Sequence, residues 1–107
     1  MANYIQKGNT INYTNSSAAK IAAGDAVSLT NRIGIAAGDI AVGAVGTLAV
    51  EGVFEIDKTA SLAIAVGDAV YFSTSTKKIT KTDTDVPAGW AIAAATASDT
   101  SVLVKIG

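Results

Sequence analysis

Apolar residues alternate with polar or small ones along most of the chain, the period-two spacing of a β-strand with one face buried. The clearest run is residues 45–56. Leu48, Val50, Phe54 and Ile56 fall on one face with Gly46 and Gly52 between them, and Thr47, Glu51, Val53 and Glu55 fall on the other. This predicts one long strand, with Gly52 marking a bulge or a close backbone approach. The run Ser101-Val102-Leu103-Val104-Lys105-Ile106 alternates in the same way. Shorter candidates cover residues 11–13, 27–29, 33–35, 70–72, 78–82 and 90–94. About eight short strands with frequent turn signals predict an all-β fold, a small single-domain β-barrel or β-sandwich with little helix. Leu48, Val50, Phe54, Ile56, Val70, Phe72, Trp90, Val102 and Val104 are expected to share one core, with Trp90 as its main aromatic. Helix competes only in the alanine-rich residues 91–97 and in a turn near 58–64, and a helix that short is marginal in water.

One heptapeptide recurs. Ile21-Ala22-Ala23-Gly24-Asp25-Ala26-Val27 returns as Ile64-Ala65-Val66-Gly67-Asp68-Ala69-Val70, and Ile35-Ala36-Ala37-Gly38-Asp39-Ile40 is a partial third copy. Uneven spacing argues against a solenoid, so the repeat reads as one turn device used several times. Glycine supplies a backbone conformation closed to other residues, aspartate bonds nearby backbone, and the following valine opens a strand. Gly24, Gly38 and Gly67 are therefore expected in tight turns, at least two of them at positive φ. Residues 73–78 (Ser-Thr-Ser-Thr-Lys-Lys) read as a hairpin loop, and residues 82–89, with the single proline Pro87, as the next loop. Residues 1–9 are polar with two apolar anchors, Tyr4 and Ile5, and read as an N-terminal arm ahead of a β-rich domain at 10–107.

Half of the residues are apolar but only 6% are aromatic, so the core is expected to be thin and built from Ala, Val and Ile. Association is then an available source of further stability. Eight basic against nine acidic residues leave a formal charge of −1, which points away from nucleic acid and from anionic membranes. No apolar run follows Lys7, so no export signal is expected. The sequence holds neither His nor Cys, which removes Ser-His-Asp and Cys-His catalysis and the usual zinc ligands. Of the carboxylates, Asp25, Asp39 and Asp68 belong to the repeated turn, and Glu51 and Glu55 read as an outer strand face. Asp83-Thr84-Asp85 is too sparse for a calcium loop, and no glycine motif fits a phosphate or dinucleotide. The chain therefore predicts no enzyme, no cofactor and no metal site. Lys77, Lys78 and Lys81 read as a solvated hairpin tip offset by Asp83 and Asp85. Val70 and Phe72 point inward, which leaves Tyr71 on the opposite face as a candidate subunit contact.

The order of these pieces is specific. A Tyr4-Ile5-Gln6-Lys7-Gly8 segment and a Gly-Asp-Ala-Val turn precede Gly52-Val53-Phe54-Glu55-Ile56 and Lys58. Gly67-Asp68-Ala69-Val70-Tyr71, a Thr-rich hairpin, Ala88-Gly89-Trp90-Ala91 and a final Val-Leu-Val strand follow. Over nearly its whole length the chain resembles the phage and prophage family of capsid cement, or decoration, proteins. The resemblance implies a β-rich protein that binds the outside of an assembled head and stabilises it. Its partner would be the major capsid protein, its own state a homotrimer, and its location the virion surface after synthesis in the bacterial cytoplasm. It brings no catalytic residues, and no motif fixes the contacts; Tyr4, Ile5, Gln6, Lys7 and Tyr71 are the candidates. The alternative is another β-rich virion module, tail-associated or carbohydrate-binding, for which exposed aromatics lining a groove would speak.

Overall fold

The computed structural model describes residues 8–107, and among them the chain forms nine strands and no helix. Four make an antiparallel sheet: β1 (Thr10–Thr14), β2 (Ala26–Ser28), β3 (Ile33–Ala36) and β4 (Val45–Ala49), ordered β1-β4-β3-β2. The other five are β5 (Gly52–Asp57), β6 (Ala69–Ser73), β7 (Lys78–Thr80), β8 (Val86–Ala91) and β9 (Ser101–Ile106), ordered β5-β9-β8-β6-β7. The sheets stack as an open sandwich and do not close into a barrel. The arm expected at residues 1–9 lies outside the described residues up to Lys7, and β1 starts at Thr10.

The long strand expected over residues 45–56 is two strands in two different sheets. The chain breaks at Val50 and Glu51, and Gly52 resumes with φ +122°. A two-residue break preserves period-two alternation, so the pattern could not reveal it. Val50 is consequently half-buried at the crossing, and Leu48 enters a different core from Phe54 and Ile56. Neither helical alternative forms. Ala91 closes β8, and Ala95 exchanges two 2.9 Å backbone hydrogen bonds with Ile64.

The two sheets repeat one design. The order β1-β4-β3-β2 maps onto β5-β9-β8-β6, with β7 added at the edge. The irregular joints match as well. The Ile21–Ile40 bridge corresponds to the Ile64–Ala95 bridge. Gly24 N–H to Ala36 O (2.8 Å) and Ala36 N–H to Asp25 O (2.9 Å) correspond to Gly67 N–H to Ala91 O (2.7 Å) and Ala91 N–H to Asp68 O (3.0 Å). The two halves even bury a polar side chain at the same place, Asn15 in one and Lys58 in the other. Asn15 N–H donates to Ala44 O at 2.9 Å, and Lys58 N–H to Thr100 O at 3.0 Å. The recurring heptapeptide is thus the trace of a duplicated four-strand unit, more than a reused turn.

Alternation gives each sheet two faces. The front of the first sheet carries Ile11, Tyr13, Val27, Leu29, Ala36 and Leu48, and its back carries Ala26, Ile33, Ile35 and Ala49. That back packs onto the front of the second sheet, where Ile56, Val70, Phe72, Ala91, Val102 and Val104 complete the main core. A second, smaller core forms around Leu48, Ala36 and Ile40 on the front of the first sheet. The single core expected from sequence is therefore two. Trp90 belongs to neither; it is 43% exposed. A bulge between Val70 and Tyr71 slips the β6–β8 register. Gly89 adopts φ +140° beside it. Ala88 and Ala91 therefore both face the core while Trp90 faces out. The same bulge lets Pro87, expected in a loop, sit opposite Tyr71 near the start of β8, where β6 is paired with it and β9 is not, a setting in which a sheet tolerates proline.

Candidate functional site

The repeated turns are structural. Ala22 N–H donates to Asp25 Oδ2 at 3.0 Å, and Ala65 N–H to Asp68 Oδ2 at 2.9 Å. In both turns the aspartate amide also donates back, to Ala22 O and Ala65 O. Gly24 and Gly67 both take φ +87°, as expected. The third copy differs. Gly38 lies at a bend without a positive φ. Asp39 Oδ1 accepts from Ala23 N–H of the first copy at 2.9 Å, and its Oδ2 pairs with Lys20 at 3.1 Å. A further turn escaped the sequence reading because it lacks glycine. Thr96 N–H donates to Asp99 Oδ2 at 2.8 Å, at the place matching Ala41–Ala44 of the first half. An Asp three residues after a Thr, just past a buried Ala, was its only signal.

These contacts hold two carboxyls below their ordinary value of 3.8. For Asp39 the Ala23 amide is the larger cause and Lys20 the next. For Asp68 the Ala65 amide leads and Lys81 follows. Lys81 pairs with Asp68 at 3.0 Å and not with Asp83 or Asp85, whose role as its counter-charges is therefore corrected. Asp85 instead accepts from Thr80 Oγ1 at 2.6 Å. Glu55 Oε2 accepts from Ser101 Oγ at 2.9 Å on the outer face of β5. Among the described residues no three acidic side chains come together as a metal site would require.

A groove of about 600 Å³ runs beside the sheets, lined by Tyr13, Lys20, Asp25, Glu55, Asp57 and Lys77 among others. Neither Trp90 nor Tyr71 lines it. Both stand on the outer face of the second sheet. There the cross-strand row Ala69–Trp90–Lys105–Val53 lies beside Leu103 and the Tyr71–Pro87 pair. Val53 is 49% and Leu103 39% exposed. This face, where Lys105 stands between the exposed Trp90 and Val53 and Glu55 lies beside Leu103, is the chief exposed feature that residue counting missed. Of the candidate contacts, the structure sets Tyr71 on it, half-buried. Tyr4, Ile5, Gln6 and Lys7 lie outside the described residues.

Such a molecule presents surfaces for contact, and the carboxylates of its turns, Asp25, Asp39, Asp68 and Asp99, are engaged with its own backbone. That is the class to which a structural binding protein belongs. The phage cement protein family model matches residues 5–106, nearly the whole chain, and the chain belongs to that family. No curated protein and no solved structure matches it. The family is structural and not enzymatic, and membership gives the chain a capsid-associated role in the virion.

Proposed function

We propose that the chain binds the outside of an assembled phage head, bridges neighbouring copies of the major capsid protein and stabilises the shell. The observation that carries this reading is the family match over residues 5–106. A clamp that binds only the assembled state stabilises it by its binding free energy, and many equivalent sites multiply the effect. A rigid β body with edges and an arm can add to a neighbour and needs no buried polar chemistry. The protein works as a homotrimer, a state that suits three-fold positions of an icosahedral shell, and it is made in the host cytoplasm. Its near-neutral charge supports a protein partner over nucleic acid.

Residues 2–9 are the arm in this reading, with Tyr4 and Ile5 as anchors and Gln6 and Lys7 beside them. Fully extended, they span ~26 Å, enough to reach across to a shell subunit. Deleting residues 2–7, which keeps the Asn9 carbonyl that accepts the Val50 N–H at 3.0 Å, should leave the circular dichroism spectrum and urea transition intact while co-sedimentation with empty heads drops sharply. Substituting Tyr4 and Ile5 with Ala should do much of the same. Full head binding by the truncated chain would remove the arm from the mechanism, and failure of the full chain to bind heads would remove the reading itself.

A further inference from the structure

We infer that copies of this chain associate head to tail, the outer face of the second sheet of one copy seating on the front of the first sheet of the next. The contact repeats one that the chain already makes within itself. Inside the molecule, the back of the first sheet covers the front of the second. Because the two sheets are equivalent, one front and one back remain without that cover: the front of the first sheet and the outer face of the second. Equivalent residues record the difference. Val70, Phe72, Ile56 and Ile64 are buried, whereas their counterparts Val27, Leu29, Tyr13 and Ile21 are only half-buried. On the other side, the row Ala26–Ile35–Ala49–Thr10 matches Ala69–Trp90–Lys105–Val53. Ile35, which plugs the main core, is 5% exposed, and Trp90 at the matching position is 43% exposed.

The occupant that fits is therefore a second copy. Trp90 takes the role of Ile35 and fills the ground around Tyr13, Ile21 and Val27 of its neighbour. Trp90 stands exposed between Ala69 and Lys105, and tryptophan is among the residue types that dominate protein contacts. The two patches are different surfaces, so the interface is heterologous and closes only as a ring. A ring of three would set six equivalent sheets in succession. The inference rests on the self-association part of the proposed function and names the surfaces that serve it.

The test uses purified full-length chain without heads. Sedimentation should show a closed oligomer, and W90D should weaken association by ~30-fold or more in Kd while its urea transition stays that of a folded domain. A benzophenone amino acid at position 90 should cross-link to a neighbour's peptide carrying Tyr13, Ile21 or Val27. Mixing W90D with V27D should restore 1:1 pairs, since the intact Trp90 face of one meets the intact front of the other; the W90D/V27D double variant should not pair. If V27D fails to fold, the cross-link map decides alone. A monomer at the highest concentration overturns the inference, as does a cross-link to residues 1–7 or to the neighbour's own Trp90 face. Cross-links that form as described while heads go unbound would overturn the shell reading and not this one. Head binding by a monomeric wild-type chain would do the reverse.

Discussion

Gly89→Ala is the sharpest single perturbation of the fold. Gly89 sits at φ +140° in β8. A methyl group there would run into the carbonyl oxygen of Lys105, with Lys105 C at 3.0 Å and Ile106 Cα at 3.3 Å. Those atoms belong to β9, which is paired on one side with β5 and on the other with β8, so they cannot retreat without opening a ladder. Gly67 is the control: its φ is +87°, but nothing lies within 4 Å of an added Cβ. Gly67→Ala should thus cost only left-handed strain, about 1–2 kcal/mol. Gly89→Ala adds steric overlap to a worse backbone conformation, about 1–3 kcal/mol from each, and should cost about 2–6 kcal/mol in all. A domain of this kind has about 5–15 kcal/mol to lose, so the variant should lose a large share of its stability. Urea unfolding by far-ultraviolet circular dichroism, at one dilute concentration so that association does not shift the midpoint, measures both. A Gly89→Ala variant no less stable than Gly67→Ala would refute the close β8–β9 approach.

Asn15 is fully buried; its Nδ2 donates to Ala19 O (2.9 Å) and Ile40 O (3.0 Å) while Oδ1 accepts from Ser17 N–H and Oγ. Asn15→Ala removes these four bonds and leaves Ile40 O with the Ile21 N–H alone (3.0 Å); it should cost about 1–3 kcal/mol, read from the same urea transition. The chain should also lose stability in acid. The folded state holds the Asp39 and Asp68 carboxyls below 3.8, so the unfolded chain takes up protons first. Their contribution is complete above that value and lost as pH falls through the lower folded values. Thermal melts from about pH 6 to about pH 2.5 should show this acid limb, and D39N/D68N, which keeps an acceptor oxygen but cannot titrate, should flatten it.

The strands were legible because alternation is a local signal. Residues 11–13, 27–29, 33–35 and 70–72 each fall within an observed strand or within a residue of it. What the pattern could not carry was which sheet a strand joins. Val50 and Glu51 alternate like their neighbours yet stand between two sheets, and only non-local pairing tells Leu48 from Phe54. Trp90 was misplaced for a related reason: a bulge shifts the parity of everything after it, and its evidence lies in the partner strand β6. The heptapeptide was visible, but its meaning depended on the matching Ile21–Ile40 and Ile64–Ala95 bridges, which share no motif. Tyr71 was placed outward correctly because its neighbours Val70 and Phe72 are unambiguous. The apolar face around it could not be assembled from residues spread over four strands.

The last of the nine strands in chain order lies in the interior of its sheet, with β5 on one side and β8 on the other. β5 is synthesised long before β9 and has no other sheet neighbour, so it must wait for it. The first sheet, complete at Ala49, meanwhile holds Ile33 and Ile35 ready for a second sheet that does not yet exist. At roughly 5–20 residues per second the ribosome leaves that surface uncovered for several seconds. Folding is therefore tied to the emergence of β9 and governed by distant pairings, the slow regime for β topologies. Trimming residues 101–107 would remove the strand that joins β5 to the rest of the sheet, and a nascent chain stalled before Ser101 should be a target for host chaperones and proteases, not a smaller version of the protein.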